Sequence, residues 1–207
     1  LSKLHSLLCP SIRSVYELTD KNKIYVKQVS SFDEASLFAS KCSSSSALFT
    51  GGGYVGARLR SCFKKGIINV HMGDLPNYKG MDVVQATILE GNFNYVGLTS
   101  HLMDESIDTG DCIYNYTTSS DFYSNIGSLR NELQSIMPFV LISSFLKLNR
   151  QDTNLYKQPK TGRLFHKLHP SLEKVIDKIL LHRAKPSNQS EIEKLFISCY
   201  SSIINLT

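Results

Sequence analysis

Asn69 and His71 stand two positions apart at the end of the apolar run Ile67-Ile68-Asn69-Val70-His71. On a strand, residues i and i+2 point to the same face, so an amide and an imidazole emerge there side by side. The amide N–H can donate to a carbonyl oxygen that becomes an oxyanion. The imidazole can exchange a proton with an attacking or leaving nitrogen. Further along, Met103-Asp104-Glu105-Ser106-Ile107-Asp108-Thr109-Gly110-Asp111 is an acidic loop closed by glycine. A carboxylate from this loop could orient His71, raise its pKa or hold a water. The same residue types also have ordinary uses, because Asn and His near loops cap backbone groups and acidic loops are often only solvated.

Upstream lies Thr50-Gly51-Gly52-Gly53-Tyr54-Val55-Gly56, in which Gly51, Gly53 and Gly56 satisfy G-x-G-x-x-G after the apolar Ala47-Leu48-Phe49. A dinucleotide fold places an acid at the end of the next strand to hold a ribose. Here that strand ends Asn69-Val70-His71, and the nearest acid, Asp74, falls beyond it. The fingerprint also normally follows the first strand of its fold, whereas a strand at 24–29 precedes it here. Two other readings stay open. The glycines form a tight strand-to-helix turn, or they present a backbone edge to a flat ligand.

The elements that must position these residues follow from periodicity and punctuation. Strands are expected at 24–29, 46–50, 67–71, 95–104 and 112–118. Helices are expected at 32–42, capped by Ser31 or Asp33, at 55–66 ended by Gly66, and at 81–91 ended by Gly91. A long one covers 121–149, with Pro138 in a first turn or at a kink, and two more lie near 171–183 and 190–204. The opening Leu1-to-Leu18 stretch also reads as helical. This alternation predicts an α/β fold, a Rossmann-like and mostly parallel sheet with helices on both faces. Residues 1–150 form the catalytic domain and 151–207 a helical C-terminal extension. Ligands of such sheets sit off the carboxyl ends of the strands, where Thr50-Gly51, Asn69–His71 and Met103–Asp108 can converge.

Bulk properties narrow the function classes. The 207 residues carry a net charge of +5, and lysine and arginine are scattered without runs, so nucleic acid is not indicated. Five cysteines, Cys9, Cys42, Cys62, Cys112 and Cys199, are widely spaced with no C-x-x-C. They read as reduced thiols of a cytoplasmic protein, with no metal cluster. The longest apolar stretch, from Ile136, is too short to span a bilayer, and no targeting peptide is visible. His101 reads as a satisfied buried histidine or a contact to a substrate. His166 and His169 read as surface or cap residues, and Tyr114 and Tyr116 as packing residues.

The two stretches INVHMGDLPNYKGMDVVQATILEG and VGLTSHLMDESIDTGDCIY resemble the folate-dependent formyltransferase family over about residues 24–120. Asn69, His71, Leu75, Pro76, Tyr78, Lys79, Gly80, Asp108, Thr109 and Gly110 stand at the positions of its motifs. The resemblance implies that Asn69 polarises a formyl carbonyl, His71 is the general acid/base and Asp108 sustains the histidine. It implies that Met103, Asp104, Glu105 and Ser106 receive the pterin of N10-formyltetrahydrofolate, with Gly53, Tyr54 and Val55 as a second edge. The acceptor would be an amine of a small molecule, tRNA not being excluded, and no metal would be needed. A hydrolase of the donor, a formyltransferase-like binding module without turnover, and a nucleotide-binding oxidoreductase are the competing readings. Met72-Gly73-Asp74 departs from the family's usual Pro-Ser-Leu after the histidine. The opening lacks the family's first strand and glycine loop, so the chain is expected to be a fragment or to have a rebuilt acceptor site.

Overall fold

The computed structural model describes residues 27–51, 53–150, 154–159 and 161–184. Its elements in chain order are α1 (Phe32–Ala39), β1 (Ser46–Phe49), α2 (Ala57–Arg60), β2 (Gly66–His71), β3 (Tyr78–Gly80) and α3 (Val83–Leu89). They continue with β4 (Gly97–Leu102), β5 (Cys112–Thr117), α4 (Ile126–Leu148), β6 (Arg163–Phe165) and α5 (Glu173–Arg183). Of the expected strand 24–29, residues 27–29 take no strand pairing and 24–26 lie outside the described residues, as do the expected opening helix and the helix at 190–204. No helix among the described residues is long and apolar enough to cross a membrane.

The α/β class holds, but the sheet is mixed. Its order is β1-β2-β4-β5, with β1 parallel to β2 and the β2–β4 and β4–β5 pairs antiparallel. The mostly parallel expectation fails at β4, which runs antiparallel to both of its neighbours, and the link to β5 shows one reason. Residues 103–111 are too few for a crossover of about a dozen residues or more, so the chain turns and comes back. A small second sheet pairs β3 with β6 in parallel.

Alternation splits the main sheet into an apolar and a polar face. Ile68, Val70 and Leu98 lie in one core with Leu129, Leu133, Ile136 and Val140 of α4. That helix starts at Ile126, where the Asn125 side chain accepts from the Ser128 N–H. Pro138 sits inside it, not in a first turn. Proline cannot donate to the Gln134 carbonyl, yet the helix continues because this buried stripe holds it to the sheet. Val84 and Ile88 of α3 and Ile176 and Leu180 of α5 belong to the same core. Residues past 150 therefore pack with those before it.

Two local expectations differ from the structure. The helix expected over 55–66 shrinks to Ala57–Arg60, and Gly66 opens β2 instead of ending a helix. Its φ of +92°, which only glycine adopts readily, turns the chain into the strand. Ser31 caps α1 as expected, accepting from the Glu34 N–H.

Candidate active site

The opposite face of the sheet is polar. In the antiparallel register Asn69 pairs with His101, His71 with Thr99, and Thr99 with Asn115. Paired residues share a face, so these five side chains form one patch across β2, β4 and β5. A β-bulge between Ser100 and His101 brings Cys112 opposite His101. The patch is roofed by two loops. In the first, the Thr99 hydroxyl accepts from the Leu75 N–H and donates to the Gly73 carbonyl, while Asp74 accepts from Asn115 and Asn77. Gly73 touches the imidazole so closely that a Cβ there would lie 2.9 Å from His71 Nε2.

The second loop delivers Asp108, which has a left-handed φ of +54°. Its carboxylate lies between two imidazoles, Oδ2 3.3 Å from His71 Nδ1 and Oδ1 3.5 Å from His101 Nε2. Oδ2 also accepts from the Gly80 N–H at 2.8 Å. Asn69 Nδ2 is 3.4 Å from His101 Nε2. Each imidazole has its other nitrogen on a backbone oxygen, His71 Nε2 at 2.7 Å from Tyr78 O and His101 Nδ1 at 2.9 Å from Leu102 O.

These contacts put opposing demands on the protons. Both ring nitrogens of His71 face oxygen acceptors, so only the imidazolium can donate to both. Burial pulls the other way and dominates, holding the His71 pKa below its ordinary value against the pull of the Asp108 charge and the Tyr78 carbonyl. For Asp108, burial favours the neutral acid, but the hydrogen bond from His101, the charge of His71 and the Gly80 N–H outweigh it and lower its pKa. A carboxylate kept ionised beside a histidine kept from charging easily is an arrangement suited to proton exchange.

The loops expected to hold the donor follow β1 and β4, the two neighbours of β2. Phe49, the last residue of β1, pairs with Asn69, so the glycine loop begins beside the polar patch. Gly53 has φ +102° with open space at its Cβ position. Tyr54 is exposed, Val55 is buried, and Arg60 holds both the Val55 carbonyl at 2.5 Å and the Tyr54 hydroxyl at 3.3 Å. On the other side, the Met103 N–H donates to the Ile67 carbonyl and extends the β2–β4 pairing. Asp104 folds its own loop by accepting from the Ser106 N–H and the Thr109 hydroxyl. Glu105 and Ser106 are exposed. A cleft of about 90 Å³ reaches His71 between Met72, Gly80, Asp82, Val83 and Arg130.

Thus Asn69, His71 and Asp108 are brought together, and the two expected loops flank the strand that carries the first two. His101, read from the sequence as a satisfied buried histidine or a substrate contact, is also at the site, and so is Gln158, to which the sequence reading gave no role. The signal for His101 was the antiparallel register that sets it opposite Asn69. Gln158 lies far along the chain, at the start of QPKTGRLFHKLHP, a stretch whose weaker resemblance to the family gave it no role. His169 caps the turn Pro170–Leu172 and Tyr116 is buried as expected, but Tyr114, expected to pack, is exposed. Cys42, Cys62 and Cys112 are free thiols, and burial, the first cause, pushes that of Cys112 up to about 11.

Comparison with known proteins finds formyltransferases. Residues 55–143 match the profile of the formyl transferase family. Methionyl-tRNA formyltransferase of Lachnospira eligens is 32% identical over 111 residues, covering 53% of this chain and 35% of that protein. The enzyme of the same name from Coxiella burnetii is 28% identical over 117 residues, covering 56% and 37%. The chain thus spans about a third of the length of the curated relatives it matches. Among solved structures, the formyltransferase PseJ of Anoxybacillus kamchatkensis has a TM-score of 0.61 at 20% identity, covering 85% of this chain and 96% of that one. Methionyl-tRNA formyltransferase of Clostridium thermocellum has a TM-score of 0.54 at 18% identity, covering 86% and 79%. At those identities the structures establish the formyltransferase fold, and the segment 55–143 is similar to the formyl transferase family.

Proposed function

We propose that the chain transfers a formyl group from N10-formyltetrahydrofolate to an amine of a small substrate, with Asn69, His71 and Asp108 at the reacting centre. The observation that carries this reading is the Asp108 carboxylate held between two imidazoles, beside an amide on the same sheet face. The glycine loop and the Met103–Ser106 loop flank β2 as two edges between which a flat pterin fits. The PseJ structure was solved with tetrahydrofolate and a formamido sugar nucleotide, which supports a folate donor and an amine acceptor for the fold.

In this mechanism the acceptor nitrogen attacks the formyl carbon and a C–N bond forms. The formyl oxygen gains the negative charge and is held by the Asn69 amide and by the imidazolium of His71, whose Nε2–H exchanges the Tyr78 carbonyl for it. The acceptor nitrogen loses its proton to the site, N10 receives one through His71, and the C–N10 bond breaks to release tetrahydrofolate. Asp108 stabilises the imidazolium during this exchange, and His101 shares its carboxylate. Holding donor and acceptor together supplies much of the acceleration.

The test is formyl transfer from N10-formyltetrahydrofolate to a panel of amino sugars, small amines and methionyl-tRNA, with formate release followed in parallel. His71→Ala is expected to lower formyl transfer by at least about 10²–10⁴-fold while binding of a non-hydrolysable donor analogue changes little. Formate release without a formylated product would make the chain a hydrolase. Donor binding without either product would make it a binding module.

A further inference from the structure

We infer that Gln158 is a positioning residue for the His71–Asp108 pair, its side-chain amide locking the turn that aims the carboxylate. Gln158 Nε2 donates to two carbonyls of that turn, Asp108 O at 3.2 Å and Gly110 O at 2.6 Å. The orientation of the amide is forced, because the flipped form would set Oε1 against both carbonyl oxygens. The consequence is that Oε1 is buried with no partner among the described residues. A buried amide held only for its own hydrogen bonding would use both ends. This one is kept for its donors alone.

The turn needs an outside restraint. Asp108 is a non-glycine residue at φ +54°, a conformation that L-residues leave readily. Gly110 lies against the Leu102 carbonyl with no room for a Cβ. Gln158 supplies the restraint from an anchored segment. Two reciprocal backbone hydrogen bonds between Cys112 and Tyr156, of 2.8 and 2.9 Å, tie residues 154–158 to β5. Beyond that tie, Lys79 Nζ donates to the Thr161 carbonyl. The segment past 150 thus reaches back to the site and sets the carboxylate's direction.

The inference rests on reading His71 and Asp108 as the proton-handling pair, and its test needs neither donor nor acceptor. His71 titration is followed by NMR of the imidazole in the full chain, in Gln158→Met, in Asp108→Asn and in the double variant. The other charged groups around His71 are His101 across the strands and Asp82 and Arg130 of the adjoining cleft. Gln158 hydrogen-bonds to none of them. Gln158→Met keeps the volume and removes the donors, so the His71 midpoint is expected to fall as the carboxylate swings away. Asp108→Asn should then move it much less in that background than in the wild type. An unchanged midpoint in a folded Gln158→Met protein, with melting temperature alone reduced, overturns the inference. If Gln158→Met does not fold, Gln158→Asn, too short to span both carbonyls, is read in the same way. Absence of formyl transfer in the wild type would sink the proposed function and leave this result standing. Loss of transfer in Gln158→Met with an unchanged titration would do the reverse.

Discussion

Replacing Thr99 by valine isolates the support of the loop behind the histidine. Thr99 is fully buried in β4, opposite His71. Its hydroxyl accepts from the Leu75 N–H at 3.1 Å and donates to the Gly73 carbonyl at 2.7 Å. Valine has nearly the same shape but puts a methyl where the hydroxyl was, leaving both backbone groups buried and unpaired. Each orphan costs about 1–3 kcal/mol, so the pair costs about 4 kcal/mol. In a domain of this size each kcal/mol lowers the melting temperature by about 2–4 °C, giving a fall of about 8–16 °C. Thr99→Ser keeps both bonds and loses one methyl, which costs about 1 kcal/mol. Thermal unfolding by circular dichroism compares the three proteins. A Thr99→Val midpoint within about 2 °C of Thr99→Ser would refute the account, showing that the loop does not hang on this hydroxyl.

Gly110→Ala should be costly for a different reason. The new Cβ meets the Leu102 carbonyl, so the Asp108 turn must move. A loss of about 1–3 kcal/mol in urea unfolding is expected, together with formyl transfer reduced as far as in Asp108→Asn, and full activity would contradict it. Stability should also depend on pH through the pair. The folded His71 pKa lies below its unfolded value near 6.5. The unfolded chain therefore binds more protons between those values, and stability present above about pH 6.5 is lost as pH falls through the folded value. The folded Asp108 pKa is also lowered, so its contribution, present above about pH 4, is lost at still lower pH. Urea midpoints across pH should show the first loss in the wild type and not in His71→Asn.

Much of this was readable from local pattern. The run ending Asn69-Val70-His71 fixed a strand, and period two put amide and imidazole on one face. Gly91 and Ser31 marked helix ends through chemistry confined to a few residues. The direction of strand pairing was not local in this way. Strand–helix alternation favoured parallel pairing, and the shortness of 103–111 opposed it for β4 and β5 alone. The antiparallel β2–β4 pairing, which that short link does not decide, is the one that sets the place of His101. In a parallel frame it was one polar residue on a buried strand, whereas in the antiparallel frame it stands opposite Asn69 and within reach of Asp108. Gln158 was hidden for a stronger reason. Its contacts lie about 50 positions back in sequence, and an amide that serves through its donors alone carries no motif. The chemistry of this site is therefore legible where one strand presents it. It is illegible where a distant segment holds that chemistry in place, because sequence spacing records the faces of an element and not what is brought against them.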